Sequence, residues 1–463
     1  GKNYLFANLA TKALAFISIP VYTRLLSTEE YGIISIFIGV VAILGSVMSF
    51  SADRSVSRYY FDQKGLKDFK RFVSTSSLFA IVFFCINSVI LLIFAEKFGE
   101  LVGLSANVVY LLIPATLINI IGLTFEQIYG PIKKSKIIAL SSLARVYIGF
   151  ALSIALIILF KEDRYYGQIL GQVFAGILMI IYWISKINTY FEISFDKVYI
   201  KYIFTYSVPL IPYALSGVII AQFGKIAIAS TQSMSEAGFY SLAATVGGLV
   251  SIVIAVTHQA WNPYYMEYMN AKNYIKIDSD FNRIFKITVL SAVGISAFGR
   301  EIGLLLAKKE FVEFLYLIPI FTIGYIFYQF AYIFLRNFGY SKKTYFMTIT
   351  VFISGISNVF MNVMLIEKYG ELGAAISFAL SYVVMAVVAW FFNSFFVKLH
   401  SPNLKPIFSA ILLVIPFYFI LYNLISFESI LISIFIKLLL VAILSVLLFW
   451  KEKNEIIKAI KSY

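Results

Sequence analysis

The sequence predicts an all-α integral membrane protein of about fourteen transmembrane helices, arranged as two parallel six-helix repeats followed by two further helices. Three observations carry that expectation. The 463 residues are 60% hydrophobic and only 13% charged, more apolar surface than a water-soluble domain can hide in its core. Apolar runs of roughly 20 residues, the length that crosses a ~30 Å hydrocarbon layer, follow one another along the whole chain. The hydropathy pattern and several short motifs recur once, at a lag of about 206 residues.

The first six runs fall at 3–26, 31–52, 72–95, 107–128, 137–160 and 167–187. The next six are 203–228, 238–262, 284–306, 311–335, 344–366 and 372–397, and the last two 407–426 and 429–450. Short polar connections leave no room for an inserted soluble domain, and β-barrel strands of about 10 alternating residues would not give such long continuous runs. The first run is too long and too polar for a cleaved signal peptide, which has a short apolar centre, and reads as a permanent helix. Cys85 is the single cysteine. It excludes an intrachain disulfide and reads as packing inside the third run.

A net charge of +14 raises the question of nucleic acid, but the basic residues are spread over loops and form no single patch. Arg54, Arg58, Lys64, Lys67, Lys70 and Arg71 follow the second run, Lys133, Lys134 and Lys136 the fourth, and Lys186, Lys197 and Lys201 the sixth. The same alternation continues with Lys272, Lys276, Arg283 and Lys286 after the eighth run, Lys342 and Lys343 after the tenth, and Lys398 and Lys405 after the twelfth. By the positive-inside rule these loops and both termini are cytoplasmic, so most of the charge encodes topology.

Ser27-Thr28-Glu29-Glu30-Tyr31-Gly32 corresponds to Ser233-Met234-Ser235-Glu236-Ala237-Gly238, each an S-x-x-E capping box that opens an apolar helix. Ser135-Lys136 corresponds to Ser341-Lys342, and Gly167, after the polar turn that begins near Lys161, to Gly373. Tyr59-Tyr60 meets Tyr264-Tyr265 one residue out of step. Six crossings return the chain to its starting side, so the halves share orientation and are related by an axis along the membrane normal. The expected organisation is an N-lobe of residues 1–201, a C-lobe of 202–400, and helices 13 and 14 with a tail over 401–463. Paired lobes of this kind favour a carrier that rocks between inward-open and outward-open states.

Ionisable side chains inside the runs are costly and mark functional candidates. Lys12 lies roughly nine residues into helix 1, ~14 Å deep. With Tyr4, Asn8 and Thr11 it forms a polar stripe at helical spacing. A snorkelling lysine is the alternative reading. Arg145 is comparably deep in helix 5, with Glu126 of helix 4 as a candidate partner, structural or functional. Lys225 and Arg24 stand near outer helix ends, Arg300 beside Glu301 toward the end of helix 9, and Lys437 deep in helix 14 with its role open. Asp53 and Arg54 close helix 2, and Arg58 shares a face with Arg54 at i+4. Cations outnumber acids in this set, and Asp53 and Glu126 are the main acids. Such a cavity suits an anion, because Arg forks and Lys point charges bind phosphate. There is no HExxH, CxxC, GxSxG elbow or Walker glycine loop. His258 reads as a packed, hydrogen-bonded residue and His400 as a loop residue.

Pro20 to Gly32 (P-V-Y-T-R-L-L-S-T-E-E-Y-G), Ala52 to Tyr60 (A-D-R-S-V-S-R-Y-Y) and the stretch from Ser341 to Ser377, with N-V-M-L-I-E-K-Y-G-E-L-G-A-A-I-S, resemble the polysaccharide-lipid flippases. These are the Wzx-type members of the multidrug/oligosaccharidyl-lipid/polysaccharide exporter superfamily. The resemblance spans helices 1 to 12. It implies a V-shaped pair of lobes in a bacterial inner membrane that moves an undecaprenyl-diphosphate-linked oligosaccharide from the inner to the outer leaflet. It implies a cationic cavity on helices 1, 2, 7 and 8, where Lys12, Arg24, Arg54 and Lys225 fall, and a groove for the lipid tail on the C-terminal helices. No cofactor is implied beyond a proton or sodium gradient and the membrane potential. The implied partners are membrane lipid and the glycan polymerase and chain-length machinery. Where relatives carry an acid-base pair late in helix 7, this chain has Gly224-Lys225, leaving Asp53, Glu126 or backbone groups for ion coupling. A lipid II flippase and a multidrug exporter of the same superfamily are the rival expectations. The exporter would carry acids for cationic drugs. A membrane-embedded polymerase or ligase is disfavoured, because outer loops such as Lys161–Tyr166 and Glu367–Glu371 are only a few residues long.

Overall fold

The computed structural model describes residues 14, 17–403, 405, 409, 411, 412, 416 and 430–450. All regular structure among them is helical. Among the described residues ten helices are long and apolar enough to cross a membrane, or eleven if one bent pair counts as a single crossing. Predicted helix 1 is described only in part, as α1 over residues 17–25, and predicted helix 13 lies almost wholly outside the described residues. Contacts divide the chain into two compact units, Gly1–Phe239 with Asn362–Glu371, and Tyr240–Met361 with Leu372–Tyr463.

In the first unit, α2 (Thr28–Met48) starts where the sequence places a capping box. Ser27 Oγ accepts from the Glu30 N–H (3.1 Å) and the Ser27 N–H donates back to Glu30 Oε2 (2.8 Å), satisfying two orphan groups of the helix end. The predicted run 31–52 is not continuous. Phe50 and Ser51 both take left-handed backbone (φ 55° and 50°), and the chain restarts as α3 (Ala52–Asp62). Asp53, Arg54 and Arg58 therefore belong to a separate short helix and not to the end of helix 2. Next come α4 (Leu66–Ile93), α5 (Ala95–Val102), α6 (Ala106–Tyr129), α7 (Ser135–Leu159), α8 (Tyr165–Ile187), α9 (Lys197–Ser207), α10 (Ile211–Thr231) and the first turns of α11 (Met234–Gly247). Cys85 stands exposed on α4 and is not packed in a core.

Small residues let the helices of this unit approach closely, as they do where lipid offers no hydrophobic drive to helix pairing. A Cβ on Gly171 of α8 would lie 2.4 Å from the Ser153 nitrogen of α7, so only glycine allows this hairpin to close. Predicted helix 7 is divided into α9 and α10 by a 3-10 turn at Val208–Leu210, where Pro209 and then Pro212 remove backbone donors. Tyr199 of α9 donates to Asp68 Oδ1 (2.6 Å) and Tyr59 of α3 to Asp68 Oδ2 (2.9 Å). Those two bonds tie α3, α4 and α9 together.

The second unit holds the rest of α11, α12 (Leu249–Asn270), α13 (Tyr274–Ala297), α14 (Gly299–Leu306), α15 (Ile318–Tyr340), most of α16 (Thr344–Phe392) and α17 (Ile430–Phe449). Predicted helix 9 is bent by 60° between α13 and α14. The bend lays the glycine face of α14 on the following 3-10 segment, where a Gly303 Cβ would meet Leu315 Cδ1 at 2.2 Å. Helix 10 begins at Ile318, not 311, with Pro319 in its first turn, the position where a missing N–H costs nothing.

α16 is 49 residues long, more than twice the ~20 that one crossing needs. Gly370 breaks it at φ 58°, ψ −136°, a conformation that a Cβ disfavours. Asn358 Nδ2 donates to Ser381 Oγ (2.9 Å), so the arms on either side fold back as a hairpin. That break is the polar turn of the sequence, with E-K-Y-G-E at its tip.

Candidate functional site

Within the first unit α1, α2, α6, α7 and α8 enclose a cavity of about 390 Å³. Its polar lining is Ser18, Tyr22, Asn119, Arg145, Gln168 and Gln172. The site grows from the close α7–α8 hairpin: Ser153 Oγ donates to the Gln168 carbonyl oxygen (3.1 Å), which fixes the backbone from which Gln168 projects. Gln168 is buried, and its Oε1 finds no hydrogen-bond partner among the described residues.

Arg145 reaches this cavity from α7 and is half-buried. Its Cζ stands 5.7 Å from the centroid of Trp183, whose Nε1 donates to Ser141 Oγ at 2.5 Å. The indole holds one face of the guanidinium and is itself held by α7. Arg145 makes no ion pair within 4.0 Å among the described residues. Glu126, its expected partner, is exposed on α6 and makes no such contact with it.

Lys225 lies at the seam of α2 and α10. A Cβ on Gly39 would fall 2.9 Å from Lys225 Cε and 3.1 Å from Gln222 Oε1, so the missing side chain on α2 is the space that the lysine stem occupies. No carboxylate lies within 4.0 Å of Lys225 among the described residues. Two cations, Arg145 and Lys225, are thus held at membrane depth in this unit without a contact ion pair.

The other expected residues are dispersed. Lys12 lies outside the described residues. Arg24 is exposed, Arg54 half-buried and Asp53 buried. Arg58 is exposed and pairs with Asp62 at 3.3 Å, one turn along α3. Arg300 is exposed, and its neighbour Glu301 turns to α17, where Lys437 Nζ donates to Glu301 Oε1 (2.6 Å) and Ser433 Oγ to the same oxygen (3.2 Å). Lys437 is therefore a buried tie between α14 and α17.

The sequence reading missed a cluster in the second unit. His258 of α12 stacks on Tyr332 of α15 (3.9 Å between centroids) and its Nε2 hydrogen-bonds Gln329 Oε1 (2.8 Å). Arg336 donates from Nη2 to the His258 carbonyl oxygen (2.7 Å) and lies over Trp261, Tyr265 and Tyr332 at 5.0, 5.4 and 5.4 Å. His258 is packed, as its place in the run implies. Arg336 sits in the last turns of α15, which the predicted run ended one residue too early to include. Among the described residues no group of three or more His, Cys, Asp or Glu side chains forms a metal site.

The described helices form a multi-pass bundle, and solved structures share this fold. The lipid II flippase MurJ in an inward closed conformation aligns with a TM-score of 0.74 at 17% identity, over 97% of this chain and 99% of that one. An inward-facing multidrug resistance MATE family transporter of the MOP superfamily aligns at 0.65 and 13% identity, over 82% and 93%. These likenesses show a fold shared with that flippase and that transporter. The family model described as polysaccharide biosynthesis protein matches residues 3–269, more than half of the sequence, and the chain belongs to that family. A protein of the Lsg locus of Haemophilus influenzae is 23% identical over 282 residues, 59% of this chain and 66% of that relative.

Proposed function

We propose that this protein is a flippase that moves an undecaprenyl-diphosphate-linked oligosaccharide from the inner to the outer leaflet of a bacterial inner membrane. The observation that carries the proposal is Arg145, a guanidinium on a polar-lined cavity with no contact ion pair. An ionised side chain at membrane depth is costly unless it has a task. The fork of a guanidinium suits a diphosphate. Membership of the polysaccharide biosynthesis family supports the glycan part of the cargo.

In this mechanism Lys12, Arg145 and Lys225 bind the diphosphate and any acidic sugar, with Arg24, Arg54, Arg58 and Arg300 as the further cations proposed to meet the anionic substrate. The prenyl tail stays in lipid. The two lobes then alternate in access, and the headgroup leaves on the other side. A potential positive outside assists by ~2.3 kcal/mol per negative charge per 100 mV. Asp53 and Glu126 are the acids for proton or sodium coupling, and glycan polymerase and chain-length proteins are the downstream partners. A lipid II flippase shares this chemistry, whereas a multidrug exporter would invert it.

Trp183 reports on the site because it touches Arg145. A short-chain polyprenyl diphosphate titrated into purified protein should change tryptophan emission to saturation. Arg145→Ala should abolish that response and Arg145→Lys should keep part of it. A response to organic cations, with none to the diphosphate, would replace this proposal with the exporter.

A further inference from the structure

The first unit contains a second and larger cavity, of about 690 Å³, within the ~300–1,000 Å³ of ligand pockets. Ile43 of α2, Phe98 and Leu101 of α5, Phe223 of α10, and Val363 and Ile366 of α16 form its walls. All of these residues belong to the one compact unit. Leu101 is 69% exposed and Val363 64%, so in a membrane the cavity opens sideways onto hydrocarbon. The stretch of α10 from Phe223 to Gln232 rises ~13 Å, close to the ~15 Å of one leaflet's apolar half. Apart from the Asn362 side chain the described walls at that depth are apolar, too few hydrogen-bond partners for water to fill the space. A lipid chain can.

The rim, at the end that the loop charges place outside, is polar: Ser230, Thr231, Gln232 and Glu367. The two hydroxyls are turned inward, donating to the Ala227 carbonyl oxygen at 3.1 and 2.6 Å. The Gln232 carboxamide lies against Gly370, 2.7 Å from where a Cβ would stand. Glu367 is exposed and makes no ion pair within 4.0 Å among the described residues. The neighbouring Lys368 stands over the Tyr369 ring at 5.2 Å and does not line the cavity. The described lining holds a carboxylate and no cation.

We propose that this cavity binds a membrane phospholipid whose head carries a primary ammonium, with one acyl chain between α2, α5 and α10 and the ammonium at Glu367. The charge separates this occupant from the cargo of the flippase reading, because Glu367 repels a diphosphate. The site is a seat for a resident lipid, and it does not rest on the transport proposal.

Native mass spectrometry of the full chain in mild detergent tests it, with phosphatidylethanolamine and phosphatidylglycerol of identical acyl chains and a polyprenyl diphosphate as probes. The ethanolamine lipid should be retained over the glycerol lipid by up to about fivefold, the range of an exposed ion pair. Glu367→Gln, at an exposed position, should level the two, and Ala227→Phe should lower retention of both by filling the cavity. Equal retention in the wild type overturns the proposal. So does stronger retention of the diphosphate, or retention of both phospholipids unchanged in an Ala227→Phe protein that melts normally. No transport is measured, so this result and the flippase reading stand or fall separately.

Discussion

Gly32 of α2 and Met234 of α11 meet so closely that a Cβ on the glycine would lie 2.0 Å from the methionine carbonyl oxygen. The relation is reciprocal. A Cβ on Gly238 would lie 2.3 Å from the Thr28 carbonyl oxygen, and Gly238 and Met234 are the repeat counterparts of Gly32 and Thr28. The same surface thus meets its own copy, as in a two-fold interface. Thr28 Oγ1 and Ser235 Oγ close the contact at 3.1 Å. The proposed alternating access would part this contact as the cargo leaves.

A Thr28→Cys/Ser235→Cys protein should therefore form a disulfide on mild oxidation. Flipping should stop when the bond forms and return when it is reduced. Undiminished flipping by the fully cross-linked protein would show that the contact does not open during transport.

Enlarging Gly32 should weaken the same contact. Gly32→Leu forces a side chain against backbone that cannot yield, an overpacking cost of about 1–3 kcal/mol. Labelling of a cysteine at Ser235 by a membrane-impermeant thiol reagent should become faster than in the glycine parent.

The Glu301–Lys437 pair predicts a loss and a rescue. Lys437 is buried and Glu301 is largely covered, at 5% and 13% exposure, so removing either partner leaves a charge without compensation, which costs about 3–5 kcal/mol. Glu301→Leu and Lys437→Met should each lower the melting temperature in detergent. The double variant should recover most of the loss.

Asp53 gives a pH signature. Burial pushes its carboxyl pKa up, against the pull of Arg54 and of the backbone N–H groups of Asp53 and Arg54. The native state then binds this proton more tightly than the unfolded chain does. Its contribution favours the native state at low pH and is lost as the pH rises through the native pKa. Melting temperatures across that range should fall with a steeper slope in the wild type than in Asp53→Asn.

The crossings were legible because apolar length is dictated by the bilayer. The capping box at Ser27 and the hairpin at Gly370 were legible because each needs a particular residue type at a particular backbone geometry. The breaks at Phe50-Ser51 and Phe298 were not. They interrupt apolar runs without proline, so no residue type in the sequence announces them. Intramembrane charge picked out Arg145, Lys225 and Lys437, but charge alone does not name a partner. Glu301 was therefore read with its sequence neighbour Arg300, although its ion pair is made to Lys437, far along the chain. Arg336 was missed because its run ended just short of it.

Flipping in proteoliposomes decides whether the cavity around Arg145 carries an anionic lipid headgroup. A fluorescent undecaprenyl-diphosphate oligosaccharide would be followed across the bilayer under an imposed potential, with wild-type, Lys12→Ala and Arg145→Ala proteins. The wild type should move the headgroup, faster with a positive potential on the receiving side, and Arg145→Ala should lose that movement. Movement that survives intact in Arg145→Ala, or a wild type that expels an organic cation and leaves the lipid where it was, would contradict the flippase reading.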